Sequence, residues 1–332
     1  MALKVIDGFD HISTHTAKGW SANMTQITGR IAGNGARLAG IVAQDNPSKK
    51  SIAGGSFTEL YFGFAWRCNA FSSLSVSGNI ANLQTAANSR AVVLSVSTTG
   101  KVSCGGVTGT ASLVQSTWHY IEVYVLINGA SSKVQTWIDG VEDIPLTTVN
   151  HGSTAVTQFE FRNNTNSTST NFDYDDLYIL DTTGGVNDSQ LGDVHVETIM
   201  PDGDGNYTEW QLSTGASHSA LVDDPNNFDS DTTYVKESTV NDRDTYTYAD
   251  LVPANATIFG VQVNNVAKKD DATLRQVASM ARLNGSDYVG ATHTLTTSYV
   301  DYQHIWDQSP DTAADWTVTE INAAEFGVKV IT

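Results

Sequence analysis

Apolar and polar residues alternate in short runs along most of the chain, and the apolar positions favour β-branched and aromatic types. A period of two puts successive side chains on opposite faces of a pleated strand. In the first half the pattern predicts strands over residues 60–66, 91–96, 119–127, 133–138 and 158–161. In the second half it predicts them over 194–199, 233–235, 245–248, 258–263, 277–283, 299–303 and 326–330. Asn128-Gly129, Asp139-Gly140 and Gly184-Gly185 predict tight turns, because glycine accepts the positive φ that such turns need. The helical pattern is confined to residues 319–325.

With so little helix available to cover a sheet, each sheet must bury its apolar face on another sheet. The expected class is therefore all-β, with two β-sandwich (jelly-roll-like) domains in series. A chain of 332 residues also suits two cores better than one. Residues 184–191 have linker-like composition and strand patterning restarts at Val194, so the expected division is 1–185, a linker over 186–192, and 193–332. Neither a short-period repeat nor a heptad is present, which argues against a solenoid or a coiled-coil shaft.

Charge narrows the partners. The net charge is −18, and residues 1–190 carry 11 Lys+Arg against 14 Asp+Glu while residues 191–332 carry 7 against 22. So acidic a second half disfavours nucleic acid, whose phosphates are met by clustered Lys and Arg. A solvated acidic surface is the preferred reading over a cation-binding face. No apolar stretch is long enough to span a bilayer, and the opening residues lack a secretory signal, so synthesis and folding in a cytoplasm are expected. Cys68 and Cys104 are the two cysteines, and two buried free thiols are expected rather than a disulfide.

Five segments form an ordered set: Ile6-Asp7-Gly8-Phe9-Asp10-His11, Glu59-Leu60-Tyr61-Phe62-Gly63-Phe64, the pair Trp118–Val123 and Val134–Gly140, and Phe172–Ile179 with its Asp175-Asp176-Leu177-Tyr178. Together they resemble the concanavalin A-like, laminin-G-like jelly rolls found in many phage structural proteins. The second half resembles the β-sandwich that often follows such domains, through Leu191–Val194, Trp210, Asp223-Asp224, Thr233–Val235, Lys268–Asp271, Asn284-Gly285, Trp316-Thr317 and Glu325–Val328. The resemblance implies a closing strand beside the first one and a component of a tailed bacteriophage particle, made in the host cytoplasm and residing in the virion. It brings no catalytic or metal residues.

Candidate chemistry is sparse. A glycosidase needs two carboxylates across the scissile bond. Glu122 has no acidic neighbour on its strand face, and Asp173, Asp175 and Asp176 have the spacing but belong to the closing-strand motif. No catalytic residue is therefore assigned. Asp202, Asp204 and Asn206 alternate oxygen donors suited to Ca2+, yet Tyr207 and Ser213 stand where a helix-loop-helix calcium site has glycine and glutamate, so a turn is the preferred reading. The acidic run 223–231 carries the same ambiguity. The eight histidines lack the grouping of a zinc site, and no nucleophile elbow, P-loop or dinucleotide fingerprint occurs.

Seven Trp and twelve Tyr supply flat faces for sugars, although large aromatics usually fill sandwich cores. Trp20 and Trp306, in the less regular segments, are the expected exposed glycan contacts. The function expected first is that of a non-enzymatic particle subunit, a capsid decoration, neck, collar or tail-appendage protein acting through contacts with other virion proteins. It is expected to form a homo-oligomer, with a trimer suggested by the setting. The alternative is an adhesin that binds host surface polysaccharide.

Overall fold

The structure is a computed structural model that describes residues 2–22, 24–41, 45–71, 74, 77–224, 227–252 and 255–332. The chain separates into two compact units, Met1–Glu197 and Thr198–Thr332, and residues 186–192 lie in the first. The class is all-β, built from antiparallel sandwich sheets as the alternation requires.

In the first unit an eight-stranded sheet runs in the order Val141–Val149, Ser132–Ile138, His119–Leu126, Glu59–Cys68, Asn171–Asp181, Asn34–Ala39 and Thr25–Thr28, with Leu3–Asp7 also paired to Asn171–Asp181. A six-stranded sheet packs against it in the order Asn46–Ser51, Gln158–Asn163, Gly78–Gln84, Arg90–Val96, Val102–Cys104 and Val107–Thr108. Leu60, Phe62, Phe64 and Trp66 from one sheet meet Ile80, Leu83, Leu94, Phe159 and Phe161 from the other. Phe62 sits edge-on to Phe159 at 5.4 Å and Phe64 to Phe161 at 5.2 Å, an arrangement worth about 0.5–1.5 kcal/mol per pair beyond area burial. The alternate residues Tyr61, Gly63, Ala65 and Arg67 belong to the outer face.

Turn chemistry matches the sequence at Asp139-Gly140. Both residues have positive φ, 51° and 77°, and join Ser132–Ile138 to Val141–Val149 in a two-residue hairpin. The last strand lies beside the first, Leu3 opposite Leu180 and Asp7 opposite Leu177, while its other half pairs with Asn34–Ala39. Register breaks between Asp175 and Tyr178 where the neighbours change over, and Asp176 there has φ +51°. Cys68 and Cys104 are free and buried.

One expected strand is not a strand. Residues 194–199 are irregular, and regular pairing resumes at Pro201. Their backbone is held by side chains: Arg30 Nη2 donates to the Val194 carbonyl at 2.6 Å, and the Val196 N–H donates to Asp176 Oδ1 at 2.8 Å. Just upstream, the Gly192 N–H donates to Glu122 Oε1 at 2.9 Å. Gly8 makes room for this segment, since a Cβ there would lie 2.5 Å from the Val196 carbonyl oxygen.

The second unit has a five-stranded sheet ordered Pro201–Thr208, Arg243–Tyr248, Glu325–Val330, Gln276–Leu283 and Ser286–Thr294. Two further pairs are Val261–Ala267 with Val300–Trp306, and Gln211–Leu212 with Val235–Lys236. Val263, Leu283, Trp316 and Phe326 form its main apolar cluster. The helix spans Val318–Asn322, shorter than the pattern predicts, because Glu325 already begins a strand. Thr317 caps it by accepting the Glu320 N–H at 3.1 Å.

Candidate functional site: a polar cluster on the six-stranded sheet

Several residues singled out in the sequence have structural employment. Trp20 is 2% exposed, stacked on Phe161 at 5.4 Å, and its Nε1 donates to Asp7 at 2.9 Å. No face of that ring is left for a sugar. An irregular local segment suggested exposure, but the buried Asp7 carboxylate, shared with Lys18 at 2.5 Å, draws the indole inward. Trp306 lies on the Val300–Trp306 strand, half-buried, edge-on to His304 at 4.2 Å.

Asp202, Asp204 and Asn206 form part of the strand Pro201–Thr208 rather than a turn. Gly203 and Gly205 are required there by side chains of the neighbouring strand, since added Cβ atoms would lie 2.6 Å from Thr247 Oγ1 and 2.5 Å from Thr245 Oγ1. Asp202 accepts from Thr247 at 3.0 Å and Asn206 bonds Glu325. Asp204 accepts the N–H groups of His218 and Ser219 at 3.1 and 2.7 Å. Its partial burial opposes ionisation, but the bonds from Ser219, His218 and Ser217 prevail and hold its carboxyl at about 2. Among the described residues no group of three or more His, Cys, Asp or Glu stands close enough to hold a metal ion. In the acidic run 223–231, Pro225 and Asn226 lie outside the described residues.

The closing-strand carboxylates are buried and paired. Asp173 takes Arg37 Nε at 2.6 Å and Arg67 Nη2 at 2.8 Å, and Asp176 takes Arg30 Nε at 2.8 Å and His195 Nδ1 at 2.9 Å. Burial, reinforced by the charge of Asp176, pushes the Asp175 carboxyl up to about 8. These groups tie strands and the 192–196 segment together.

A different set converges on the six-stranded sheet. In the strand Gln158–Asn163 the aromatic residues Phe159 and Phe161 enter the core, so Gln158, Glu160 and Arg162 take the outer face. Register sets Glu160 opposite Asn82 on one side and Lys49 on the other, and Gln158 opposite Gln84 and Ser51. Glu160 is wholly buried. It accepts Asn82 Nδ2 at 2.8 Å, Gln84 Nε2, and Arg90 Nε at 2.8 Å, with Lys49 Nζ at 3.9 Å. Asp45 bridges Arg90 and Arg162 at 3.3 and 2.6 Å.

Beside this cluster opens a cleft of about 360 Å³ lined by Gly19, Ser21, Lys49, Ser51, Asn88 and Gln158. Lys49 joins the two, its Nζ donating to Asn88 Oδ1 at 3.3 Å. The amide oxygens of Asn82, Gln84 and Gln158 are buried with no hydrogen-bond partner among the described residues. Each such group costs about 1–3 kcal/mol, so three together on one face call for an explanation beyond stability. Sequence reasoning missed them. Their signal was polar residues alternating with apolar ones, as in Asn82-Leu83-Gln84 and Phe159-Glu160-Phe161.

No family model and no curated protein matches the chain. Among solved structures it is similar to a cellulose-induced protein, Cip1, at 12% identity and TM-score 0.38, covering 56% of this chain and 92% of that one. It is similar to domain 4 of AbnA, a GH43 extracellular arabinanase from Geobacillus stearothermophilus solved with arabinotriose, at 17% identity and TM-score 0.38, covering 54% and 93%. Arcelin-5, a lectin-like defence protein from Phaseolus vulgaris, matches at 10% identity and TM-score 0.35, covering 53% and 97%.

Proposed function

We propose that this protein binds a neutral, hydroxyl-rich glycan through the outer face of its six-stranded sheet, without turning it over. The observation that carries this reading is the Glu160 cluster: a buried carboxylate, two carboxamides and a guanidinium held in fixed orientation beside an open polar cleft. Planar polar groups whose rotamers are locked by one another are suited to pairing with vicinal hydroxyls, which both donate and accept. In the cleft, Lys49, Asn88, Ser21 and Ser51 would meet the hydroxyls, while the buried Glu160 cluster beneath holds Lys49 and Arg90 in place. Binding rather than hydrolysis is favoured because the two carboxylates of this cluster, Glu160 and Asp45, are both tied to Arg90 instead of facing one another across free space.

The setting we attach to this is a tailed-phage particle, in which the chain would be a glycan-recognising subunit, assembled as a homo-oligomer and touching other virion proteins. That setting rests on the resemblance carried by the ordered motifs of the first unit. Isothermal titration against neutral oligosaccharides, starting from a glycan array, tests the binding. Lys49→Met should weaken it at least about tenfold, the loss expected when one charge-assisted hydrogen bond to the glycan is removed. Absence of binding at millimolar glycan, or an unchanged affinity in that variant, would refute the reading. New reducing ends would replace it with a hydrolase.

A further inference from the structure

The opposite face of the first unit carries a second arrangement. On the outer side of the eight-stranded sheet, Tyr61, Tyr124 and Trp137 stand on three adjacent strands, half-exposed, with ring centroids 4.8 Å apart for Tyr61–Tyr124 and 6.4 Å for Tyr61–Trp137. Carboxylates surround them. Glu59 accepts the Tyr124 hydroxyl at 2.6 Å, and Glu142 and Glu122 stand in register on either side of Trp137. Asp188 is near enough to act on the Tyr61 hydroxyl electrostatically.

At three other places this chain sets a ring and a carboxylate together around a cation. Arg243 lies 3.6 Å over Tyr207 while bonding Asp287 at 2.8 Å. Lys268 lies 4.6 Å over Tyr299 while bonding Asp231 at 2.6 Å. Arg30 lies 5.0 Å over Tyr120 while bonding Asp176 at 2.8 Å. Among the described residues, no lysine or arginine lies over Tyr61, Tyr124 or Trp137. Glu122, 1% exposed, holds the Tyr178 hydroxyl and the Gly192 N–H with its Oε1 and adds an acidic group beneath this face without lining it.

We infer that the Tyr61–Tyr124–Trp137 face is a seat for a weakly hydrated organic cation, a quaternary ammonium or a guanidinium, supplied from outside the chain. The negative ring faces attract such a cation, and the carboxylates add charge complementarity that a neutral sugar would not exploit. This seat is separate from the glycan cluster, which lies on the other sheet.

Isothermal titration of the full chain with choline, with arginine methyl ester, and with 3,3-dimethylbutanol, the uncharged isostere of choline, decides it. Saturable binding of either cation, with the alcohol at least about tenfold weaker, is expected. Preference for choline would identify a free quaternary ammonium as the source, and preference for the ester a guanidinium carried by a partner. Trp137→Ala should weaken cation binding about tenfold and Glu142→Gln by several fold, so the inference stays testable if the larger truncation misfolds. Lys49→Met should leave it unchanged, which separates this seat from the glycan site. Equal binding of the alcohol, no saturation by either cation, or wild-type affinity in the Trp137 and Glu142 variants would overturn the inference.

Discussion

Protonation of His15 is expected to unfold the first unit from within as pH falls. The ring is wholly buried, its Nδ1 accepts the Met24 N–H at 3.3 Å, and its Nε2 has no partner. Burial is the main reason that its pKa drops from 6.5 to about 4, with Lys18 adding repulsion and Asp7 only partly offsetting it. Between those values the unfolded chain takes up a proton at His15 that the folded chain refuses. Stability from this residue is therefore full above pH 6.5 and is lost as pH falls to about 4. The difference amounts to roughly 3 kcal/mol. Two other groups work in the opposite sense: Asp175 at about 8, and Glu122, also raised by burial, favour the folded state as they protonate. The measurement must therefore be a difference between variants. Urea unfolding at pH 7, 5.5 and 4, read by hydrogen exchange in the Glu59–Cys68 strand, isolates the first unit. His15→Asn keeps an acceptor for Met24 but has nothing to protonate; it should lose stability at pH 7 and lose much less of it on acidification. If the wild type and His15→Asn curves stay parallel to within about 0.5 kcal/mol from pH 7 to 4, the assignment of the acid sensitivity to this ring is wrong.

Gly63 faces the Tyr178 ring, and a Cβ there would stand 2.4 Å from Tyr178 Cε1. Gly63→Ala should lower stability by about 1–3 kcal/mol and loosen the bond from the Tyr178 hydroxyl to Glu122, visible as faster exchange at Gly192. Burial pushes the thiols of Cys68 and Cys104 up to about 11 and about 12. Native protein at pH 8 should therefore leave Ellman's reagent unreacted, and both thiols should react once urea is added.

The class of fold was legible because it rests on a local property. Alternation in Leu60–Trp66 already separates Leu60, Phe62, Phe64 and Trp66 from Tyr61, Gly63 and Ala65, and the first set is the one found in the core. The strand expected at Val194–Ile199 shows the limit of that reasoning. Its alternation is real, yet Arg30, Asp176 and Glu122 satisfy the backbone over 192–196, and those side chains are up to about 165 residues away in sequence.

The two faces offered as sites were illegible for a related reason. Glu160 and Asn82 become neighbours only through a strand register that joins residues 78 apart, and Tyr61, Tyr124 and Trp137 align only through two more such registers. Single polar residues between aromatics were visible, but nothing local says that several of them share one face. Trp20 teaches the converse. Its irregular setting predicted exposure, whereas an indole N–H within reach of a buried carboxylate has a reason to turn inward that outweighs local irregularity. For a chain of this class, then, exposed aromatics are better sought on the outer positions of regular strands than in the irregular segments. The test is direct: if Trp20 were the sugar contact, Trp20→Phe would abolish glycan binding while leaving stability intact. The buried Asp7 contact predicts the reverse, a loss of about 1–3 kcal/mol in folding with glycan affinity retained in the folded fraction.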